Sequence, residues 1–292
     1  MNIYPDIRTV LFFASLIGLV VSLTFVYVLK TRKTYEGFQF WMIASLSSFF
    51  GVLLVSLRGL IPDIFSIVLG GTLIASFMVY IAYGINLFIG RAAKKGLYLI
   101  PVGLTAVAQA YFTYIYPSVN ARTIVISIVI AVLDLWCAAL VYRGVSRKMG
   151  GPCLFLIAAF MISAGLNVIR FIWVALVDPY LSDFMSSAGL HGILLIIITG
   201  IHLAVAVGLI LLNFQRVEQD LKDSLDEIKV LRGIIPICAS CKKVRDDKGY
   251  WNQIESYIRD RSEAEFTHGI CPDCVEKLYP GYTEGMQNKK AR

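Results

Sequence analysis

The fold is decided by apolar stretches such as SAGLHGILLIIITGIHLAVAVGLILLNF, residues 187–214. A helix needs about 20 apolar residues to cross the hydrocarbon core of a bilayer. Seven stretches reach that length, and only short polar loops separate them. They lie near residues 7–29, 37–60, 64–89, 97–116, 121–142, 153–177 and 187–214. The sequence therefore predicts an all-α polytopic membrane protein, with a seven-transmembrane helix bundle over residues 1–214.

Composition supports this class and argues against nucleic acid binding. Of the 292 residues, 57% are hydrophobic and 16% are charged, whereas a soluble domain has about 25% charged residues. The net charge of +7 arises wholly in residues 1–214, which hold 13 Lys and Arg against 6 Asp and Glu. Residues 215–292 hold 14 of each sign. Neither part therefore offers the basic patch that a nucleic acid requires.

The charged loops predict the orientation of the bundle. Nine of its 13 basic residues follow the first, third and fifth crossings: Lys30, Arg32, Lys33, Arg91, Lys94, Lys95, Arg143, Arg147 and Lys148. Loops rich in Lys and Arg stay on the cytoplasmic side of a membrane. We therefore expect the N-terminus outside and the C-terminus in the cytoplasm. Because the outer loops are short, anything sensed from outside must enter the helix bundle or arrive through the lipid.

Ionisable residues at membrane depth predict a ligand pocket near the outer face. Arg58 ends the second crossing, Arg170 lies near the outer end of the sixth, and His191 lies one turn into the seventh. Guanidinium groups match the geometry of carboxylates and phosphates, so the pocket suits a small anionic ligand. In the alternative, Arg58 extends to the lipid headgroups and Arg170 pairs with Asp178 or Asp183 as a structural lock.

A second set of polar residues lies in the middle of the membrane. Asp134 of the fifth crossing and His202 of the seventh lie at comparable depth and could form an intramembrane pair that exchanges a proton. The alternative is a hydrogen bond that only holds the bundle together. We interpret Asn86, Gln109 and Asn167 as interhelical hydrogen-bonding residues of that second kind.

Residues 215–233 predict a helical, coiled-coil-like linker that leaves the membrane. Small or apolar side chains follow one another at alternating steps of three and four: Phe214, Val217, Leu221, Ser224, Ile228 and Leu231. This spacing is typical of the seam of a two-helix coiled coil. It predicts a homodimer joined through the linker, and the alternative is a monomeric amphipathic helix.

Four cysteines after the linker predict a metal site. Cys238 and Cys241 form one Cys-x-x-Cys pair, and Cys271 and Cys274 form a second. Two such pairs complete the tetrahedral shell of a structural Zn²⁺. His268 is an alternative ligand or a neighbour of the ligands. Iron has the same ligand preference, and a pair of redox-active dithiols is a further alternative.

The domain prediction follows from this pattern. Residues 234–282 form a small zinc-ribbon-like domain, and residues 283–292 form a flexible tail. About 50 residues bury too little core to be stable alone, and a bound metal supplies the missing stability.

Two stretches resemble known proteins. GIIPICASCKKVRDDKGYW (residues 233–251), THGICPDC (267–274) and Leu278-Tyr-Pro280 resemble a cysteine-rich module at the C-terminal end of bacterial signalling proteins. Tyr35-Glu-Gly-Phe, Trp41, Leu57-Arg-Gly-Leu-Ile-Pro62 and Ile67-Val-Leu resemble membrane sensor regions of bacterial diguanylate cyclases and histidine kinases. The resemblance implies a signalling role in the bacterial inner membrane, with the four cysteines as metal ligands.

These observations predict a receptor rather than an enzyme. No cyclase, kinase or phosphodiesterase segment is recognised in the sequence. We expect a seven-helix sensor that transmits a signal through the dimeric linker to a zinc docking domain, which engages a cytoplasmic signalling protein. The alternatives are a membrane enzyme or carrier that uses the Cys-x-x-Cys pairs in thiol-redox or metal-linked chemistry, and a proton- or solute-coupled transporter that uses Asp134 and His202.

Overall fold

The computed structural model describes residues 6–91, 95–145, 150–177, 190–232, 235–246 and 248–279. The chain divides into two compact units, Met1–Gln219 and Asp220–Arg292. Within the described residues, 7 helices are long and apolar enough to cross a membrane. This confirms the predicted polytopic, all-α class.

The helices match the predicted crossings closely. In chain order they are α1 Ile7–Thr31, α2 Phe38–Ser56, α3 Gly70–Phe88, α4 Lys95–Ala110, α5 Val119–Gly144, α6 Gly150–Ile172 and α7 Leu190–Arg232. Three π-helical segments extend them: Ile64–Leu69 before α3, Tyr111–Ile115 after α4 and Trp173–Val177 after α6. All three lie at the end of the bundle that is predicted to face outward.

Glycines allow α2 and α3 to lie close together. A Cβ atom on Gly84 would lie 2.5 Å from the indole ring of Trp41, and one on Gly51 would lie 3.0 Å from the carbonyl oxygen of Gly70. Gly37, which precedes α2, has a φ of 99°, a backbone conformation that favours glycine. Larger side chains at these positions would push the two helices apart.

Aromatic residues fill the core near the predicted cytoplasmic end. The ring of Phe38 lies 5.4 Å from that of Phe25 and 5.7 Å from that of Trp41. Buried residues of α7, among them Val205, Leu209 and Leu212, belong to the same cluster. Many apolar side chains on the outside of the bundle are exposed, as expected for helices that contact lipid.

Interhelical hydrogen bonds join α3 to α4 and α4 to α5. The amide nitrogen of Asn86 lies 2.6 Å from the hydroxyl oxygen of Tyr98. Gln109 Nε2 donates to the carbonyl oxygen of Arg122 over 3.2 Å. Asn86 and Gln109 therefore have the structural role expected of them. Asn167 differs, because its side-chain nitrogen donates to Ser163 of its own helix over 3.0 Å.

A polar clamp joins α7 to the loop between α1 and α2. The buried Asn213 side chain donates to the carbonyl oxygen of Lys33 and accepts from the backbone N–H of Tyr35, both over 3.2 Å. One turn later, the Arg216 guanidinium lies 4.3 Å from the ring centre of Tyr35 and 4.9 Å from that of Phe88. It also donates to the carbonyl oxygen of Phe88. The clamp fixes α7 against α3 and the first loop.

The second unit contains short elements around the cysteines. Strand β1, Val244–Arg245, pairs antiparallel with β2, Trp251–Asn252. Two helices follow, α8 Ile254–Arg259 and α9 Pro272–Leu278. The turn between the strands is organised by Asp246, whose carboxylate accepts from the backbone N–H groups of Tyr250 and Lys248. The N–H donor of Tyr250 is the main cause of a lowered pKa at Asp246.

The clamp yields a stability prediction. Asn213→Leu preserves approximate size but removes both hydrogen bonds to buried backbone, so we expect a loss of about 1 to 3 kcal/mol in the free energy of unfolding. Leu211→Ala is the control, because Leu211 is 46% exposed on the outside of α7. Equal stability of the two variants in detergent, measured by thermal unfolding, would contradict a structural role for the clamp.

Candidate functional site

A cavity of about 140 Å³ lies in the predicted outer half of the bundle. We call it the arginine cavity, because Arg58, Arg122 and Arg170 all line it. Its other polar lining residues are Ser66, Gln109, Thr123, Asn167, Thr199 and His202. The remaining wall is formed by apolar side chains and Gly71. A largely apolar wall with a few polar side chains is typical of a small-molecule site.

Three different segments of the chain supply the arginines. Arg58 lies in the tight turn after α2, where its carbonyl oxygen accepts from Nη2 of Arg8 over 3.0 Å. Arg122 lies in the first turn of α5, which Ser118 caps by accepting from the Ala121 N–H. Arg170 lies near the end of α6, just before a π-helical segment. Such π-helical turns recur at functional sites in helical proteins.

Arg122 and Arg170 differ in their hydrogen bonds. Arg122 Nη1 donates to the Thr113 hydroxyl over 3.2 Å. Arg170 is 7% exposed, and its Nε has no hydrogen-bond partner. Asn167 Oδ1 and His202 Nε2 are also buried without a partner. Three buried polar atoms that lack partners therefore belong to residues that line this one cavity.

The charge of the cavity favours an anion. Among the described residues that line it there is no Asp or Glu. A buried guanidinium group without an acceptor is energetically costly, and a carboxylate or phosphate would offset that cost through charge-assisted hydrogen bonds. Asp178 and Asp183, the alternative partners of Arg170, lie outside the described residues.

The predicted pocket is partly assembled. Arg58 and Arg170 line the same cavity, as expected. His191 lies in α7, but its side chain is outside the described part. His202 and Arg122 are two of the lining residues that the sequence did not assign to the pocket. On sequence alone, Arg122 is one of the few basic residues on the predicted outer side. It lies one turn from the loop between α4 and α5, and Arg58 and Arg170 likewise lie next to outer loops.

The structure separates Asp134 from His202. Asp134 Oδ2 accepts from the Ser163 hydroxyl of α6 over 2.6 Å. The imidazole of His202 lies 5.1 Å from the ring of Phe77 on α3, in an edge-on contact. No hydrogen bond joins Asp134 to His202 in the described part of the chain, because the two side chains pack against different helices. The expected pair is therefore corrected to an Asp134–Ser163 contact.

Each Cys-x-x-Cys pair forms a compact turn. The N–H of Cys241 points to the Cys238 sulfur at 3.5 Å, and the N–H of Lys242 donates to the Cys238 carbonyl oxygen. The second pair begins at Cys271, the N-cap residue of α9. Backbone N–H groups, first that of Cys241, lower the pKa of Cys238, and the Cys274 N–H does the same for the pKa of Cys271. Each turn therefore stabilises a thiolate.

The two cysteine pairs do not form a single group. No three His, Cys, Asp or Glu side chains come together as a metal site among the residues that the structure describes. His268 lies in the exposed segment before Cys271. Each pair fits one half of a four-thiolate site, and a complete site would require the two turns to approach each other.

Comparison with protein-family models, curated proteins and solved structures finds no match to this chain.

The arginine cavity yields a second prediction. Arg170→Met removes a buried charge without changing the approximate size, so we expect the free energy of unfolding to rise by about 1 to 2 kcal/mol. Arg122→Met is the control, because it removes the hydrogen bond to Thr113 and should not stabilise the protein. Thermal unfolding in detergent tests both variants. Destabilisation by Arg170→Met would instead support a structural ion pair with Asp178 or Asp183.

Proposed function

We propose that this protein is a receptor of the bacterial inner membrane that detects an anionic ligand in the arginine cavity. It transmits the signal through α7, as a homodimer, to a zinc-bound C-terminal domain that docks a cytoplasmic signalling protein. The observation that supports this most strongly is a cavity lined by three arginines and by no described carboxylate. A cavity of this kind is costly to maintain, which is typical of a binding site.

Helix α7 connects ligand and output in this proposal. Leu195, Ile198, Thr199 and His202 of α7 line the arginine cavity. The same helix extends to Arg232. A ligand that binds one position of α7 more tightly than another shifts the population of the two positions. The clamp at Asn213 holds α7 in one of these positions. Ligand binding would strengthen the clamp if the ligand favours that position, and would release it if the ligand favours the other.

Exposed apolar residues support the dimeric linker. Leu221 and Leu225 are 60% and 48% exposed, whereas Phe214 and Val217 lie closer to the bundle. Leucines exposed along one helix are expected to pack against a second copy. The side chains of Ile228 and Leu231, which would continue the seam, lie outside the described residues.

Cys238, Cys241, Cys271 and Cys274 would hold the metal. Four thiolates leave no open position, so the bound Zn²⁺ would stabilise the fold and supply no catalysis. The N–H groups within each turn already orient the sulfurs of each pair. Iron would use the same four ligands.

Cysteine cross-linking tests the dimer and its link to the cavity. Leu221→Cys lies on the predicted seam, so mild oxidation of membranes should yield a disulfide-linked dimer. Glu218→Cys, on the charged face, is the control and should cross-link weakly. Addition of Arg170→Gln to the Leu221→Cys chain should change the rate of cross-linking. Equal cross-linking at both positions would contradict the seam, and a rate unchanged by Arg170→Gln would contradict transmission.

Metal analysis of the purified chain tests the zinc domain. We expect about one zinc per chain in a four-thiolate site, a loss of zinc in Cys238→Ser, and full retention in the control Cys153→Ser within the bundle. The paired thiols should react with alkylating agents only after chelation. Metal-free chains with reactive or disulfide-bonded pairs would instead favour thiol-redox chemistry.

The same Cys238→Ser chain tests docking. If the zinc domain binds a cytoplasmic protein, that protein should be recovered from membranes with the parent chain and with Cys153→Ser, but not with Cys238→Ser. An identical set of partners for all three chains would contradict the docking role.

A further inference from the structure

A second, apolar cavity adjoins the arginine cavity. This second cavity, of about 70 Å³, shares the lining residues Val52, Thr199 and His202 with the first. We call it the apolar cavity, because most of its wall is formed by side chains such as Val21, Phe25, Trp41, Phe77, Ile81 and Leu209. It contains none of the three arginines. One end of the combined space is therefore cationic, and the other is apolar.

Together the two cavities extend along α7. Residues of α7 that line it run from Leu195 in the arginine cavity to Leu209 in the apolar cavity. At 1.5 Å per residue, this interval spans about 21 Å along the helix. A small anion such as acetate or phosphate would fill only the cationic end. The space matches a molecule with a charged head and one extended apolar chain.

A groove between α1 and α7 lies next to the apolar cavity on the outside of the bundle. It is lined by residues of both helices, among them Val10, Phe13, Ile196 and Gly200. Four of its residues, Ala14, Ile17, Thr199 and Leu203, also line the apolar cavity. Phe13 is 60% exposed on the outside of the bundle. An amphiphile could therefore enter sideways from the bilayer.

We infer that the ligand is a single-chain anionic amphiphile, with a carboxylate or phosphate head at Arg58, Arg122 and Arg170 and its acyl chain in the apolar cavity. This inference rests on the receptor proposed above and specifies its ligand. The head satisfies the buried groups of Asn167, Arg170 and His202, which lack partners in the protein. The chain passes Thr199 and His202, which both cavities share, and approaches Trp41.

Fluorescence quenching tests both ends of the ligand. The probe is dodecanoate with bromine on its last carbon, titrated into the full chain in phosphatidylcholine nanodiscs. Because Trp41 is 1% exposed, bromine in the lipid cannot reach it, and bromine in the apolar cavity can. We expect a saturable quenching component that Trp41→Phe removes. Arg170→Gln should weaken its half-saturation at least tenfold.

Unmodified ligands provide controls that need no variant. Dodecanoate or dodecyl phosphate should raise the unfolding temperature and compete with the probe, whereas dodecanol and acetate should do neither. If acetate raised the unfolding temperature as much as dodecanoate does, the proposed anion receptor would stand, but the inference that its ligand is an amphiphile would be wrong. Failure of every anion to protect or compete would overturn both proposals. Equal competition by two-chain phosphatidylglycerol in the nanodiscs would overturn the single-chain ligand.

Discussion

Polar groups inside a bilayer must find their hydrogen-bond partners within the protein, because hydrocarbon offers none. Most polar side chains of this bundle obey that constraint locally. Ser22 donates to the carbonyl oxygen of Gly18, and Thr72 to that of Val68. Several buried atoms are exceptions, and three of them, on Asn167, Arg170 and His202, belong to residues that line one cavity. A ligand bound there, as proposed above, would offset the cost of these atoms.

Helix α7 connects the arginine cavity with the rest of the chain. Thr199 and His202 of α7 contribute to the cavity wall. About three to four turns after His202, Asn213 and Arg216 bind the first loop and the end of α3. A helix held at two places can occupy only a few discrete positions, since packed cores are not continuously deformable. A ligand bound at the first place, as proposed above, would therefore act on the second.

The sequence predicts those features that depend on local composition. Apolar length yields the seven crossings, and the depth of Arg58 and Arg170 within them predicts the pocket. Contacts between helices are different, because periodicity does not reveal which helices are neighbours. The partner of Asp134 is Ser163 rather than His202 for that reason. Asn213 gave no signal, since an asparagine at the end of a membrane crossing is common, and its hydrogen bonds depend on the position of the first loop.

In the C-terminal unit, unlike the bundle, the packing of apolar side chains contributes little to the structure. Among its described side chains, only Val244 and Tyr257 are buried apolar residues, so the hydrophobic effect contributes little to its stability. Its order comes from turns, in which backbone N–H groups satisfy the Asp246 carboxylate and the Cys238 sulfur. In the proposed metal-bound form, four thiolates that share one ion would supply the missing rigidity. A closed shell of that kind would leave no coordination position for a substrate, so the domain would serve as a docking surface.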